Sequence, residues 1–176
     1  MRAAVVSLYC AFALTGASVG WAANSLPPSL CLRDERTVFS CPLENDSRVV
    51  SLCGSRDLGE GAGYLQYRFG RSGNVELEFP RQRPDSWKAF RYSRYSRFQV
   101  DRFSVSFSIR DHTYTLFDNY EGEMEPATHE AGITITRSGK TVGEWLCRCP
   151  GSGNLRALQS IVPCDKDDVL NMGGCG

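Results

Sequence analysis

GYLQYRFGRSGNVELEFP, residues 63–80, alternates apolar and polar positions along two arms and breaks between them at glycines, the pattern of a β-hairpin. Leu65, Tyr67 and Phe69 alternate with Gln66 and Arg68 on one arm, and Val75, Leu77 and Phe79 with Glu76 and Glu78 on the other. A five-residue loop, Gly70 to Asn74, has glycines at 70 and 73 to take positive φ. It sets Leu65 opposite Phe79, Tyr67 opposite Leu77, Phe69 opposite Val75 and Arg68 opposite Glu76. Apolar groups then share one face and opposite charges the other, so pattern and turn chemistry agree.

Working outward, the period of two recurs. Thr37 to Cys41 and Arg48 to Cys53 flank the turn Glu44-Asn45-Asp46-Ser47, and GSRDLGEGA, residues 54–62, is a glycine-rich loop into the central hairpin. Pro80 and Pro84 mark the exit. Phe103, Val105, Phe107 and Ile109 alternate with Ser104, Ser106 and Ser108, whose polar arm faces water. The chain returns as Thr113 to Tyr120 in one of two registers: a two-residue turn puts Leu116 inside and Phe117 outside, and a three-residue turn reverses them. A last hairpin joins Ala131–Arg137 to Thr141–Cys147 about Ser138-Gly139, and only GNLRALQSIV, residues 153–162, has helical spacing. The expected fold is all-β, a single antiparallel sandwich or small up-and-down barrel of eight or nine strands with at most one short helix. Its parts are an extended arm over residues 23–35, a β-domain over 36–149 and a disulfide-stapled C-terminal tail over 150–176.

Residues 1–22 read as a signal peptide: Arg2, a small and apolar run, and Gly20-Trp21-Ala22 at the cleavage position. The mature chain of about 154 residues makes one domain and has no transmembrane segment. Loss of Arg2 leaves 19 basic and 20 acidic residues of the 20 of each in the chain, which argues against a dedicated nucleic-acid binder. Cys10 leaves with the leader, and Cys31, Cys41, Cys53, Cys147, Cys149, Cys164 and Cys175 remain as a disulfide pool, expected as three bridges and one thiol. Spacing leaves the pairing open, with Cys41–Cys53 and Cys164–Cys175 as the short local closures. Cys147 and Cys149 share a strand face and suit bridges to other segments. Neither the Cys-x-x-Cys redox spacing nor a histidine beside the cysteines occurs, so no metal and no cofactor is expected.

Two segments carry opposite charge. FRYSRYSRF, residues 90–98, interleaves Arg91, Arg94 and Arg97 with Tyr92 and Tyr95, and residues 81–102 hold seven basic and two acidic side chains. Planar guanidinium groups beside rings suit phosphate, sulfate or carboxylate ligands, whereas an edge strand protected by its arginines gives the same pattern. Residues 118–130 hold Asp118, Glu121, Glu123, Glu125 and Glu130 with no basic residue. This segment suits a cation, a basic protein partner or the basic segment of its own chain. No Gly-x-Ser-x-Gly, His-Glu-x-x-His or phosphate loop is present, and Asp118, Glu121 and Glu123 do not match the EF-hand spacing.

ERTVFSCPL (35–43), VSLC (50–53), GYLQYRFG (63–70), PCD (163–165) and LNMGGC (170–175) together resemble a family of exported Gram-negative bacterial proteins with no assigned activity. In export, cysteine use and antiparallel architecture the chain is similar, more distantly, to periplasmic lysozyme inhibitors. Their Ser-Gly-x-x-Tyr inhibitory loop has its nearest match at Ser72-Gly73-Asn74-Val75-Glu76, where Glu76 replaces the tyrosine. The expected function is that of a periplasmic or secreted, non-catalytic module that binds a protein or an anionic polymer of the cell envelope, or inhibits another macromolecule. The binding set is Arg91, Tyr92, Arg94, Tyr95, Arg97, Asp118, Glu121 and Glu123, with loops 54–62 and 121–130 as further surfaces. The alternatives are a carbohydrate-active or other hydrolase using carboxylates of the acidic loop, such as Asp118 and Glu121, and a structural envelope component.

Overall fold

A computed structural model describes residues 28–148, 152–168, 170–171 and 175. The expected leader, and Cys149, lie outside these residues. The chain forms two five-stranded antiparallel sheets packed as a sandwich with no closed barrel. The first sheet contains β1 (Arg36–Pro42), β2 (Val49–Gly54), β3 (Leu65–Arg71), β4 (Asn74–Phe79) and β10 (Ser152–Gly153), ordered β10-β1-β2-β3-β4. The second contains β5 (Arg91–Arg97), β6 (Val100–Ile109), β7 (His112–Glu121), β8 (Thr128–Arg137) and β9 (Lys140–Leu146), in chain order. The strand count exceeds the expected eight or nine because FRYSRYSRF supplies β5 and a two-residue β10 pairs with Phe39 and Ser40.

The central hairpin forms, but its register is shifted from the expected one. Tyr67 faces Phe79, Arg68 faces Glu78, Phe69 faces Leu77 and Gly70 faces Val75. The turn is the two residues Ser72-Gly73, and the extra residue, Glu76, is absorbed as a bulge in β4 opposite Gly70, φ 152°. Only glycine fits there, since a Cβ would lie 2.3 Å from the Asn74 carbonyl oxygen. Val75 is consequently exposed instead of facing Phe69.

Between the sheets the inward side chains form one apolar core. Phe39, Leu52, Tyr67 and Phe79 make one row of the first sheet. The Phe107 ring sits 4.8 Å from both Tyr67 and Phe79 and 5.1 Å from Tyr114. The β6–β7 turn is the two-residue one, Arg110-Asp111, with Arg110 at φ 55° and Ile109 opposite His112. Leu116 is therefore buried in the core and Phe117 lies on the outer face. The helical spacing of residues 153–162 yields only a 3-10 turn, Leu155–Leu158, although Leu155, Leu158, Ile161 and Val162 are all buried.

Cys41 pairs with Cys147, Cys31 with Cys53 and Cys164 with Cys175. The expected Cys41–Cys53 bridge is excluded by strand alternation. Cys41, opposite Val50, points into the core, whereas Cys53, beside the inward Leu52, points to the outer face. There it meets Cys31 of the N-terminal arm, and Cys41 reaches Cys147 of the second sheet. Three disulfides suit an oxidising, non-cytoplasmic environment. No helix among the described residues is long and apolar enough to cross a membrane.

The arm is a strap over the outer face of the first sheet. Pro28 carbonyl accepts from Ser40 at 2.7 Å, and the Leu30 amide donates to Ser51 at 3.1 Å. Beneath it Arg68, only 2% exposed, donates to Glu35 at 2.5 and 3.0 Å, to Glu78 at 2.7 Å and to Gln66 at 2.8 Å. Glu35 also accepts from the Leu32 amide and the Tyr64 hydroxyl. A charge this deeply buried stays folded only because each of its donors has a partner.

Candidate binding face

Alternation along β5 decides what the arginine-aromatic stretch can do. Tyr92 and Arg94, opposite Val105 and Phe103, point inward; Arg91, Tyr95 and Arg97 belong to the outer face. The ring of Tyr92 is buried and stacks on Phe103 at 5.8 Å. Arg94 donates to Gln159 at 2.9 Å and stands 3.6 Å from Asp101. Arg91 donates to the carbonyls of Lys88 and Phe90 at 2.7 and 2.8 Å. The five side chains do not converge on one ligand.

The acidic segment meets the basic one through sheet pairing. Arg97 makes a two-pronged ion pair with Glu123, Arg102 pairs with Glu121 at 2.5 Å, and Gly122 amide donates to the Gln99 carbonyl at 2.6 Å. These contacts join the β5–β6 tip to the β7–β8 connection. The expected loop 121–130 is shorter than its sequence implies, since β7 runs through Glu121 and β8 begins at Thr128. The two charged runs thus meet through two ion pairs, one of the three roles open to the acidic segment.

Asp118 and Glu121 are three apart on β7 and so lie on opposite faces. Asp118, 7% exposed, accepts from His129 at 2.6 Å and from Arg156 at 3.3 Å. Arg156 in turn donates to Asp101 at 2.5 Å. This cluster holds both of its carboxylates in ion pairs. The residues of loop 54–62 are tied to the first sheet and the arm, through Ser55 to Tyr64 and Arg56 to the Asp34 carbonyl.

One surface that remains open is the outer face of the second sheet, a trough of about 770 Å³. Its sides come from Arg102 and Ser104 of β6, Thr115, Phe117 and Asn119 of β7, Glu130 and Thr134 of β8 and Glu144 and Leu146 of β9. Register places Ser104, Phe117, Gly132 and Leu146 in one row across four strands. Gly132 is what allows the Phe117 ring to lie there, because a Cβ would come within 2.7 Å of the ring and 2.4 Å of the Trp145 carbonyl. The tail forms the far wall. Residues 163–165 run beside β5, with Tyr92 amide donating to the Pro163 carbonyl at 2.9 Å and Asp165 amide to the Tyr92 carbonyl at 2.8 Å. That path brings Asp168 and Leu170 to the trough. Met124 lines its end, and Phe98, 82% exposed, stands at the neighbouring β5–β6 tip.

Alternation along β6 predicts that Ser104, Ser106 and Ser108 face water, and says nothing of the walls around them. The signal in the sequence was Phe117 with Gly132: a ring placed outward, and a strand-interior glycine across from it to receive it. No protein-family model matches the chain, nor does any curated protein or any solved structure.

Proposed function

We propose that the protein is an exported, periplasmic or secreted binding module without catalytic activity, and that it holds another macromolecule of the cell envelope against the outer face of its second sheet. One observation carries this reading. An apolar floor of Phe117 and Leu146 lies open between hydroxyl-bearing walls on a stapled scaffold, while Arg97, Asp118, Glu121 and Glu123 of the charged groups expected to bind are held in ion pairs. Rigid faces with a few apolar anchors and a polar rim are how proteins recognise partners. Inhibition of an envelope enzyme is one use of such a face.

The test is capture of partners from envelope extract by the intact oxidised protein, beside a variant with Thr115→Arg and Thr134→Arg, which fill the trough from two exposed-side positions. Loss of the captured species in that variant, at unchanged stability, supports the reading. Retention of every species means that the face is not the site.

A further inference from the structure

We infer that the occupant of this face is a cationic polypeptide segment carrying an apolar side chain among its basic ones; this rests on the binding reading above. Four carboxylates, Glu121, Glu130, Glu144 and Asp168, line the trough against one guanidinium, Arg102. Arg102 is already paired with Glu121 at 2.5 Å. Glu130, Glu144 and Asp168 make no ion pair among the described residues. The surplus is local, since the chain as a whole carries 20 basic and 20 acidic residues. A trough that sets three unpaired carboxylates around an apolar floor, with its one lining guanidinium already paired, is complementary to positive charge.

Their placement sets the form of the partner. Glu130 stands on the Asn119 row of the sheet and Glu144 on the Thr115–Thr134 row, on either side of the row holding Phe117 and Leu146. Asp168 and Leu170 repeat the pairing of acid and apolar group on the tail side, and Met124, 60% exposed, extends the apolar floor at the end. An extended chain presents alternate side chains to one face about 6.8 Å apart. Basic residues flanking an apolar one at every second position therefore match rows of carboxylates flanking the floor. Anionic polymers, which the arginine-rich stretch implied in sequence, face repulsion here.

The test uses the full oxidised protein and fluorescent peptides in anisotropy titrations. The probe is Lys-Ser-Lys-Ser-Leu-Ser-Lys-Ser-Lys; the controls replace every Lys by Glu, or Leu by Ser. The lysine–leucine probe should bind, and binding should weaken when salt is raised from about 50 to about 300 mM. The triple variant Glu130→Gln, Glu144→Gln, Asp168→Asn should bind it about tenfold less tightly, as expected for three rim pairs. Met124→Ser and the Leu-to-Ser peptide should each weaken it by about threefold or more. Binding of the glutamate peptide, or binding of the lysine peptide that the triple variant retains, overturns the inference. So does a probe excluded because the protein is a dimer through this face, read by sedimentation, or a neutral oligosaccharide bound in its place. If the filled-trough variant loses its envelope partners while the triple variant keeps them, the face is the site and the cationic occupant is wrong. If both keep them, the binding reading itself falls.

Discussion

Replacing Glu35 by Gln tests the strap over the first sheet at its most exacting point. The substitution keeps size and an acceptor oxygen but removes the charge that meets Arg68 at 2.5 and 3.0 Å. Breaking a buried ion pair from one side costs about 3 to 5 kcal/mol, because the other charge is stranded. Arg68 retains Glu78 at 2.7 Å, whose side chain is 35% exposed and so better screened, together with Gln66 and the Leu30 carbonyl. The remaining attraction lowers the expected loss to about 2 to 4 kcal/mol. The assay is urea unfolding of the oxidised protein followed by tryptophan fluorescence, with mass spectrometry confirming intact disulfides. A second variant, Glu35→Gln with Arg68→Met, removes both charges and keeps volume, and it should recover much of the loss, since an apolar replacement of a buried pair is often nearly neutral. A single-variant loss below about 1 kcal/mol, or a double variant no better than the single, would refute the claim that this pair is coupled under the strap.

Other outcomes follow from the same geometry. Burial opposes ionisation of Glu35, but the bonds from Arg68 and the Leu32 amide outweigh it and hold its pKa below the ordinary 4.5. Its contribution is present above pH 4.5 and is lost as pH falls through the lower folded value, so the gap between wild type and Glu35→Gln should close in acid; a gap that widens there contradicts the assignment. Among paired Cys→Ala variants, removing Cys41–Cys147, which spans 106 residues, should cost most, about 4.8 kcal/mol in the chain-entropy view, against about 3.4 for the 22-residue Cys31–Cys53 span and about 2.8 for the 11-residue Cys164–Cys175 span. The reverse order in reversible denaturation would mean that native-state strain or solvation dominates. Gly132→Ala, whose methyl meets backbone 2.4 Å away, should cost about 1 to 3 kcal/mol and displace Phe117; a neutral result in thermal unfolding would show that the floor is not built on this contact.

How much was legible can be argued from single residues. Alternation alone placed Phe103, Val105 and Phe107 in the core, and the signals at Ser138-Gly139 located a turn, because both depend on neighbours in sequence. What failed was set by distant partners. The hairpin register hinged on whether Gly70 belonged to the loop or faced a bulge in β4, and two arrangements offset by two residues both matched apolar to apolar. The burial of Arg68 was not legible because Glu35 of the arm that covers it lies 33 residues earlier in the chain. FRYSRYSRF was obscure because its period of three disguises a strand whose alternate side chains go to opposite faces. The trough escaped notice because hydroxyl side chains facing outward look the same whether or not a tail and a loop wall them in.

A hydrolase built on Asp118 and Glu121 makes a demand that alternation along β7 denies this pair. Two carboxylates acting on one glycosidic bond must face the same substrate about 5 to 9.5 Å apart. Asp118 is turned toward the core between His129 and Arg156, and Glu121 is on the outer face with Arg102. Asp118→Asn should therefore act through stability: Arg156 loses one of its two carboxylates and the His129 contact is weakened, for about 1 to 3 kcal/mol. Glu121→Gln breaks a partly exposed pair and should stay within about 1 kcal/mol. Thermal unfolding of both variants, run beside a glycan-turnover assay, separates the cases. If turnover exists in the wild type and either substitution abolishes it without moving the unfolding curve, the carboxylate is chemical and the binding reading must give way. If Asp118→Asn lowers the midpoint and Glu121→Gln leaves it in place, both groups are parts of the frame that holds the trough.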